Sequence, residues 1–223
     1  MGSAAIPGSE CPDQFFSENL SHSLSNWNGV DDLWVFAYGS LIWRPSFEWV
    51  ERRRVILRGY HRELCLWSHD HRGSLDDPGV VFGLNRGGSC PGVAYRVAAA
   101  RVRETFEALW VREMRAGAYV PRWVRCCDGQ NSVQALAFLL NRQCTHYTGE
   151  LAEDHLLAVI RRAVGMSGRC LDYVLHTHAA LHEHGIEDRG LCRLVSRLLE
   201  ANSPAGATVS DALPLGAMST AAA

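Results

Sequence analysis

Lysine is absent. All 22 basic residues of this 223-residue chain are arginine. That excludes a lysine Schiff base and a phosphate-binding loop closed by lysine. No run of 18 apolar residues occurs, so no transmembrane helix is expected. Charge of one sign is not in excess: the formal net charge of -2 gives neither nucleic acid nor a membrane surface an electrostatic reason to bind. None of the eight cysteines, at 11, 65, 90, 126, 127, 144, 170 and 192, forms a C-x-x-C pair. The first twenty residues have neither a basic start nor an apolar run, so no export signal is expected. The chain is therefore expected to be cytoplasmic, with thiols kept reduced and cysteines serving as small hydrophobes or bystanders.

What is present suits one domain with tails. Hydrophobic residues make up 47% and charged residues 21%, ordinary values for a packed core. Residues 1–31 are rich in Ser, Asn, Gly and Asp and carry little periodicity, so they read as a disordered lead-in. Residues 203–223, built from Ala, Ser, Pro, Gly and Thr, read as a disordered tail. The folded unit is then residues 32–202.

Its first half reads as strands over 33–38, 54–59, 64–68, 80–84 and 93–97, with Gly87-Gly88 and Pro91-Gly92 as turns. A helix is expected over 100–116, ended by Gly117, followed by strands over 122–127 and 134–140. Three helices follow, over 151–164, 171–183 and 191–202, with Gly165 and Gly185 at C-cap positions. The strands are too closely spaced for βαβ units. The pattern points to an α+β fold, a mixed sheet curled toward a barrel with helices packed outside.

The helix at 100–116 carries an anomaly. Its apolar stripe runs Val102, Phe106, Leu109, and the next position on that stripe is Glu113. Eleven steps of about 100° bring Glu113 within roughly 20° of Val102 around the axis. A carboxylate is thus aimed inward near a helix C-terminus. Burial and the negative end of the helix dipole both disfavour its ionised form, which raises its pKa toward a range useful for proton transfer. The structural alternatives are pairing with a buried arginine such as Arg122, or an early helix end that leaves Glu113 solvated.

A second candidate is the turn after the first strand. Tyr38-Gly39-Ser40 ends an apolar strand in a position where Gly39 permits positive φ and close approach of a ligand. Successive N–H groups in such a turn can hold a carboxylate or a developing oxyanion.

Other motifs carry less. The chain has neither a G-x-G-x-x-G dinucleotide loop nor a G-x-S-x-G elbow, since 165–169 reads Gly-Met-Ser-Gly-Arg. His176, His178, His182 and His184 share one helix, but the spacing is not that of H-E-x-x-H.

Taken in order, several segments resemble the ChaC family of glutathione-degrading γ-glutamylcyclotransferases. W-V-F-A-Y-G-S-L-I-W-R-P, from Trp34 to Pro45, is similar to that family's substrate-binding loop. His71-Arg72-Gly73-Ser74 with Pro78-Gly79 resembles its H-R-G-[ST]…P-G segment, and Gly92-Val93-Ala94-Tyr95 its G-V-A-Y strand. Arg112-Glu113…Gly117-Ala118-Tyr119 resembles R-E…G-G-Y, whose glutamate is the family's catalytic residue. Tyr147-Thr148-Gly149 and Gly168…Tyr173-Val174-Leu175 resemble its Y-x-G and G-x-N-x-x-Y-L motifs. The chain departs at Ala37, at Ala118 (the second glycine of G-G-Y) and at Cys170, which occupies the asparagine position.

The resemblance implies a γ-glutamylcyclotransferase-like domain acting on glutathione, with 5-oxoproline and Cys-Gly as products. It implies no metal, no cofactor and no obligate protein partner, because the nucleophile is the substrate's own amine. It assigns Glu113 as general base and acid, and Val35, Phe36, Ala37, Tyr38, Gly39, Ser40 and Leu41 as the substrate-binding stretch. Arg72 is the first choice for a substrate carboxylate and Arg44 the second. Whether Tyr119, Tyr147 and Tyr173 touch substrate or brace the pocket stays open. So do three rivals: cyclotransfer on other γ-glutamyl dipeptides or amines, a non-catalytic γ-glutamyl-binding module, and a metal-dependent hydrolase built on the 176–184 histidines.

Overall fold

A computed structural model describes residue 24 and residues 26–114 and 117–200. The expected disordered tail 203–223 lies outside them, as does the expected lead-in up to residue 23. The last part of the lead-in is ordered against the domain: Leu24 and Trp27 pack on the core.

Five strands close into a barrel in the order β1-β3-β2-β4-β5, with β1 Leu33–Ala37, β2 Glu51–Ser68, β3 Gly79–Val97, β4 Tyr119–Cys127 and β5 Ser132–Leu140. All the pairings are antiparallel except β1 with β5, where Trp34 and Val35 run parallel to Ala135 and Leu136 and shut the barrel. The mixed, barrel-forming sheet is the expected one. Where the sequence suggests four strands between 54 and 97, two long ones run instead. Gly59, Gly87 and Gly88 all have positive φ, and the β2–β3 register slips between Arg58 and Tyr60. The glycines let both strands bend together through an irregularity instead of ending in turns.

Helix α1, Val102–Glu113, starts behind a 3-10 turn at Ala99–Arg101. Its stripe lands as the spacing requires: Val102, Phe106, Leu109 and Trp110 are fully buried. Each such side chain contributes about 1.5–3 kcal/mol by leaving water. Phe106 lies against Trp123 of β4, which sets the helix on the barrel wall. Ala116, the expected last residue of this helix, falls outside the described residues.

Helices α2 Glu153–Arg162, α3 Cys170–Glu183 and α4 Arg189–Glu200 pack together on the barrel. Acidic residues open α2 (Glu153, Asp154) and basic ones close it (Arg161, Arg162), as the helix dipole favours. Gly185 has φ +64° and its N–H reaches the His182 carbonyl, so it caps α3 as expected. Gly165 caps nothing. It belongs to β6 Val164–Gly165, which forms a short hairpin with β7 Gly168–Arg169. A Cβ on Gly165 would come within 2.5 Å of the Asp70 and His71 carbonyl oxygens, so glycine is needed there for close packing on the 70–72 segment.

No helix among the described residues is long and apolar enough to cross a membrane.

Candidate active site

The first strand delivers the loop. Val35, Phe36 and Ala37 have no exposed surface, and their pairing with β3 and β5 fixes where the chain leaves the barrel. Tyr38 is buried and donates its hydroxyl to the Phe138 carbonyl at 2.8 Å. Ser40–Ile42 then form a 3-10 turn, with Leu41 and Ile42 buried. The turn is tied down by the Tyr95 hydroxyl, which donates to the Ile42 carbonyl at 2.8 Å.

Gly39 departs from the expectation of positive φ. Its φ is -130° and its ψ -131°. A Cβ there would make only ordinary van der Waals contacts, 3.4 Å from the Tyr173 hydroxyl and 3.6 Å from Phe82 Cβ, so neither positive φ nor lack of room requires glycine.

Glu113, the last residue of α1, has a side chain only 13% exposed. Its partner is not Arg122, which points away to the Pro121 carbonyl, but its neighbour Arg112, whose Nε lies 3.2 Å from Glu113 Oε1. Burial pushes the Glu113 carboxyl above its ordinary value, and Arg112 pulls it back in part. Burial is also the main cause that lifts the phenols of Tyr38, Tyr119 and Tyr173, with the Glu113 charge adding to it in each case. The three phenols thus stand around the carboxyl as neutral groups.

Tyr119 and Tyr173 meet at Phe82 of β3. Tyr119 donates to the Phe82 carbonyl at 2.9 Å, and the Tyr173 hydroxyl accepts from the Phe82 N–H at 3.1 Å. The Tyr173 proton is therefore left for another acceptor. Both tyrosines line this site, whereas Tyr147 bridges to Leu66 and carries Arg142 on its ring. Nothing in the sequence singled out Phe82, because its role is carried by backbone atoms.

Arg72 is 8% exposed. Its guanidinium lies over the Tyr173 ring at 5.2 Å and the Trp43 ring at 5.8 Å, and Nη1 donates to the Ser167 carbonyl at 2.5 Å. No carboxylate among the described residues pairs with it. Burial lowers its pKa, with the Tyr173, Cys170 and Asp172 side chains pushing it back in part. Arg44 contributes its carbonyl to Arg112.

The Arg72 loop is held by two glycines at van der Waals limits. A Cβ on Gly73 would fall 2.0 Å from the Gly79 nitrogen, and one on Gly79 would fall 2.1 Å from the Arg72 carbonyl oxygen. Gly73→Ala is therefore expected to force the loop apart, shift Arg72 off its aromatic bed and lower the thermal midpoint. Thermal unfolding of the variant against wild type checks this.

Cys170, at the motif's asparagine position, ties the start of α3 to the barrel. Its sulfur accepts from the Val80 N–H at 3.4 Å and donates to the Val80 carbonyl at 3.2 Å, joining α3 to β3. The α3 histidines diverge. His176 packs on Trp43 and His178 faces Cys192, and among the described residues no cluster of three or more metal-binding side chains forms.

The ChaC-like protein family matches residues 33–201. A glutathione-specific γ-glutamylcyclotransferase of Escherichia coli is 33% identical over 178 residues, covering 78% of this chain and 77% of that protein. Glutathione-specific γ-glutamylcyclotransferase 1 of mouse is 35% identical over 171 residues, covering 74% of this chain and 77% of its own. Among solved structures, a yeast γ-glutamyl cyclotransferase specific to glutathione superposes with a TM-score of 0.71 at 21% identity, covering 76% of this chain and 96% of that one.

Proposed function

The chain belongs to the ChaC-like family, and from that premise we propose that it cleaves glutathione by cyclising the γ-glutamyl group. The observation that carries this is the buried Glu113 carboxyl, linked through Arg112 to Ser40 Oγ, with its pKa raised by burial. The names of the bacterial and mammalian relatives support glutathione as substrate.

The glutamyl α-amine of glutathione is free because the peptide bond runs through the γ-carboxyl. That amine attacks the γ-carbonyl carbon. A nitrogen–carbon bond forms, the bond to the cysteine nitrogen breaks, and 5-oxoproline and Cys-Gly separate. Nucleophile and electrophile both lie within the substrate, so the protein's task is orientation and proton transfer.

Glu113 takes a proton from an amine whose conjugate acid has a pKa of about 8. It then returns that proton to the departing cysteine nitrogen. A carboxyl raised by burial is better matched to this exchange than a solvated one.

The Tyr38–Leu41 segment holds the glutamyl group, with Val35, Phe36 and Ala37 as its fixed support. Backbone N–H groups around Gly39 and Ser40, together with the free Tyr173 proton, receive charge on the carbonyl oxygen. Arg72, buried without an acidic partner, receives a substrate carboxylate, and its planar fork suits that geometry. We place this activity in the cytoplasm, where the seven described cysteines, all free, remain reduced.

Purified protein is expected to turn over glutathione faster than γ-glutamyl-alanine, releasing 5-oxoproline. Faster turnover of the dipeptide would keep the chemistry and overturn the substrate.

A further inference from the structure

Arg112 lies at the junction of the two halves of the site. Its Nε meets Glu113 Oε1 at 3.2 Å. Nη2 donates to Ser40 Oγ at 2.9 Å. Nη1 donates to the Arg44 carbonyl at 2.7 Å and to Ser46 Oγ at 2.8 Å. All three guanidinium nitrogens are used, on partners from α1 and from the segment that follows Gly39. Adjacent helix residues normally project about 100° apart, so Arg112 must fold back across its neighbour to reach the carboxylate.

Two further features mark the contact as more than a surface pair. Ser46 is the sole non-glycine residue with positive φ among the described residues, at 61°, and Arg112 grips its hydroxyl. Such a conformation is rare outside glycine and persists where the surroundings hold it. Ser40, meanwhile, accepts from Arg112 through its oxygen. Its own proton is left to donate, and donation from a cation makes it a stronger donor.

We infer that Arg112 is a positioning residue, tying the Glu113 carboxylate to the Ser40–Ser46 segment so that acid–base group and glutamyl-binding loop keep one fixed spacing, with the Ser40 hydroxyl proton aimed at the substrate. The inference rests on the cyclotransferase reading of the same site. It adds what sets the distance between its parts, and a group that tunes the carboxyl.

The tuning has a definite sign. Glu113 faces Arg112 on α1, Tyr38 beyond β1, Tyr119 on β4 and Tyr173 on α3. The three tyrosines are neutral, and Arg112 is the cation that draws the carboxyl down against burial. Without it, the carboxylate form is reached only at higher pH.

The test uses Arg112→Gln, Arg112→Lys, Ser40→Ala and the Arg112→Gln/Ser40→Ala pair in the full chain. In Arg112→Gln the acidic limb of the kcat/KM profile is expected to move to higher pH, with kcat at neutral pH falling on the order of 100-fold. Lysine offers one nitrogen and cannot bridge the partners, so Arg112→Lys should recover only part of the loss. The double variant should be no slower than the slower single one, because both changes break one unit.

Isotope-labelled glutamate side chains, followed by NMR through a pH titration, read the Glu113 ionisation without turnover. If wild type fails to cleave glutathione, the cyclotransferase reading falls, and this titration still decides the role of Arg112. A Glu113 titration that does not move in folded Arg112→Gln overturns the inference. So does a variant that loses thermal stability alone while keeping its pH limb and kcat.

Discussion

Glu113→Gln is expected to fold as wild type and lose roughly 1,000-fold in kcat, within the range for removal of a general acid–base group. Glutamine keeps the shape of the side chain and its contact with Arg112 but can neither take nor return a proton. KM should change little, since the groups proposed to hold glutathione, around Tyr38–Leu41 and Arg72, are untouched.

The same variant has a stability signature. The folded-state pKa of Glu113 is raised above its unfolded value, so the wild-type group favours folding most below the unfolded pKa. That contribution is lost as pH rises through the folded pKa. Above the unfolded pKa, the buried carboxyl is a burden that glutamine lacks. Glu113→Gln should therefore have a thermal midpoint equal to or above wild type at neutral pH, and the advantage should vanish in acid. Retained turnover in the folded glutamine variant would remove Glu113 from the mechanism.

The second large effect concerns stability. Arg62 has a side chain only 1% exposed and is paired with Asp188. Its remaining nitrogens donate to the Tyr38 carbonyl at 2.5 Å and to the Pro91 carbonyl at 2.6 Å. Asp188 in turn caps α4 by accepting from the Leu191 N–H at 3.0 Å. One buried cation thus joins the exit of β1, the middle of β3 and the start of α4. Arg62→Met would leave the carboxylate and two carbonyls unpaired and is expected to cost about 3–5 kcal/mol. Denaturant unfolding measures it. Because the freed Tyr38 carbonyl opens the loop, KM should rise as well. A midpoint unchanged in Arg62→Met would mean that the pair contributes nothing to the fold.

The sequence made the barrel and the inward carboxylate legible because both follow from periodicity. Val102, Phe106, Leu109 and Glu113 share one helix face by arithmetic alone, and the strands announce themselves as short apolar runs. The long strands β2 and β3 were not legible, because Gly59, Gly87 and Gly88 signal a turn and a bend alike. Gly165 shows the same ambiguity: glycine for close packing and glycine for a helix cap are written identically. Arg62 gives no local signal, since a charged residue inside a strand normally faces water and its partner Asp188 is 126 residues away. Arg112 sits next to Glu113 in the chain, yet helical geometry alone would have pointed it elsewhere. Only the position of the Ser40–Ser46 segment draws it back.

The central claim is that the substrate's own amine, and not water, attacks the γ-carbonyl. Glutathione is incubated with the purified protein in heavy-oxygen water and the products are read by mass spectrometry. Intramolecular attack gives equal amounts of 5-oxoproline and Cys-Gly, with no heavy oxygen in the lactam. Free glutamate carrying heavy oxygen in its γ-carboxyl would identify water as the nucleophile and contradict the mechanism.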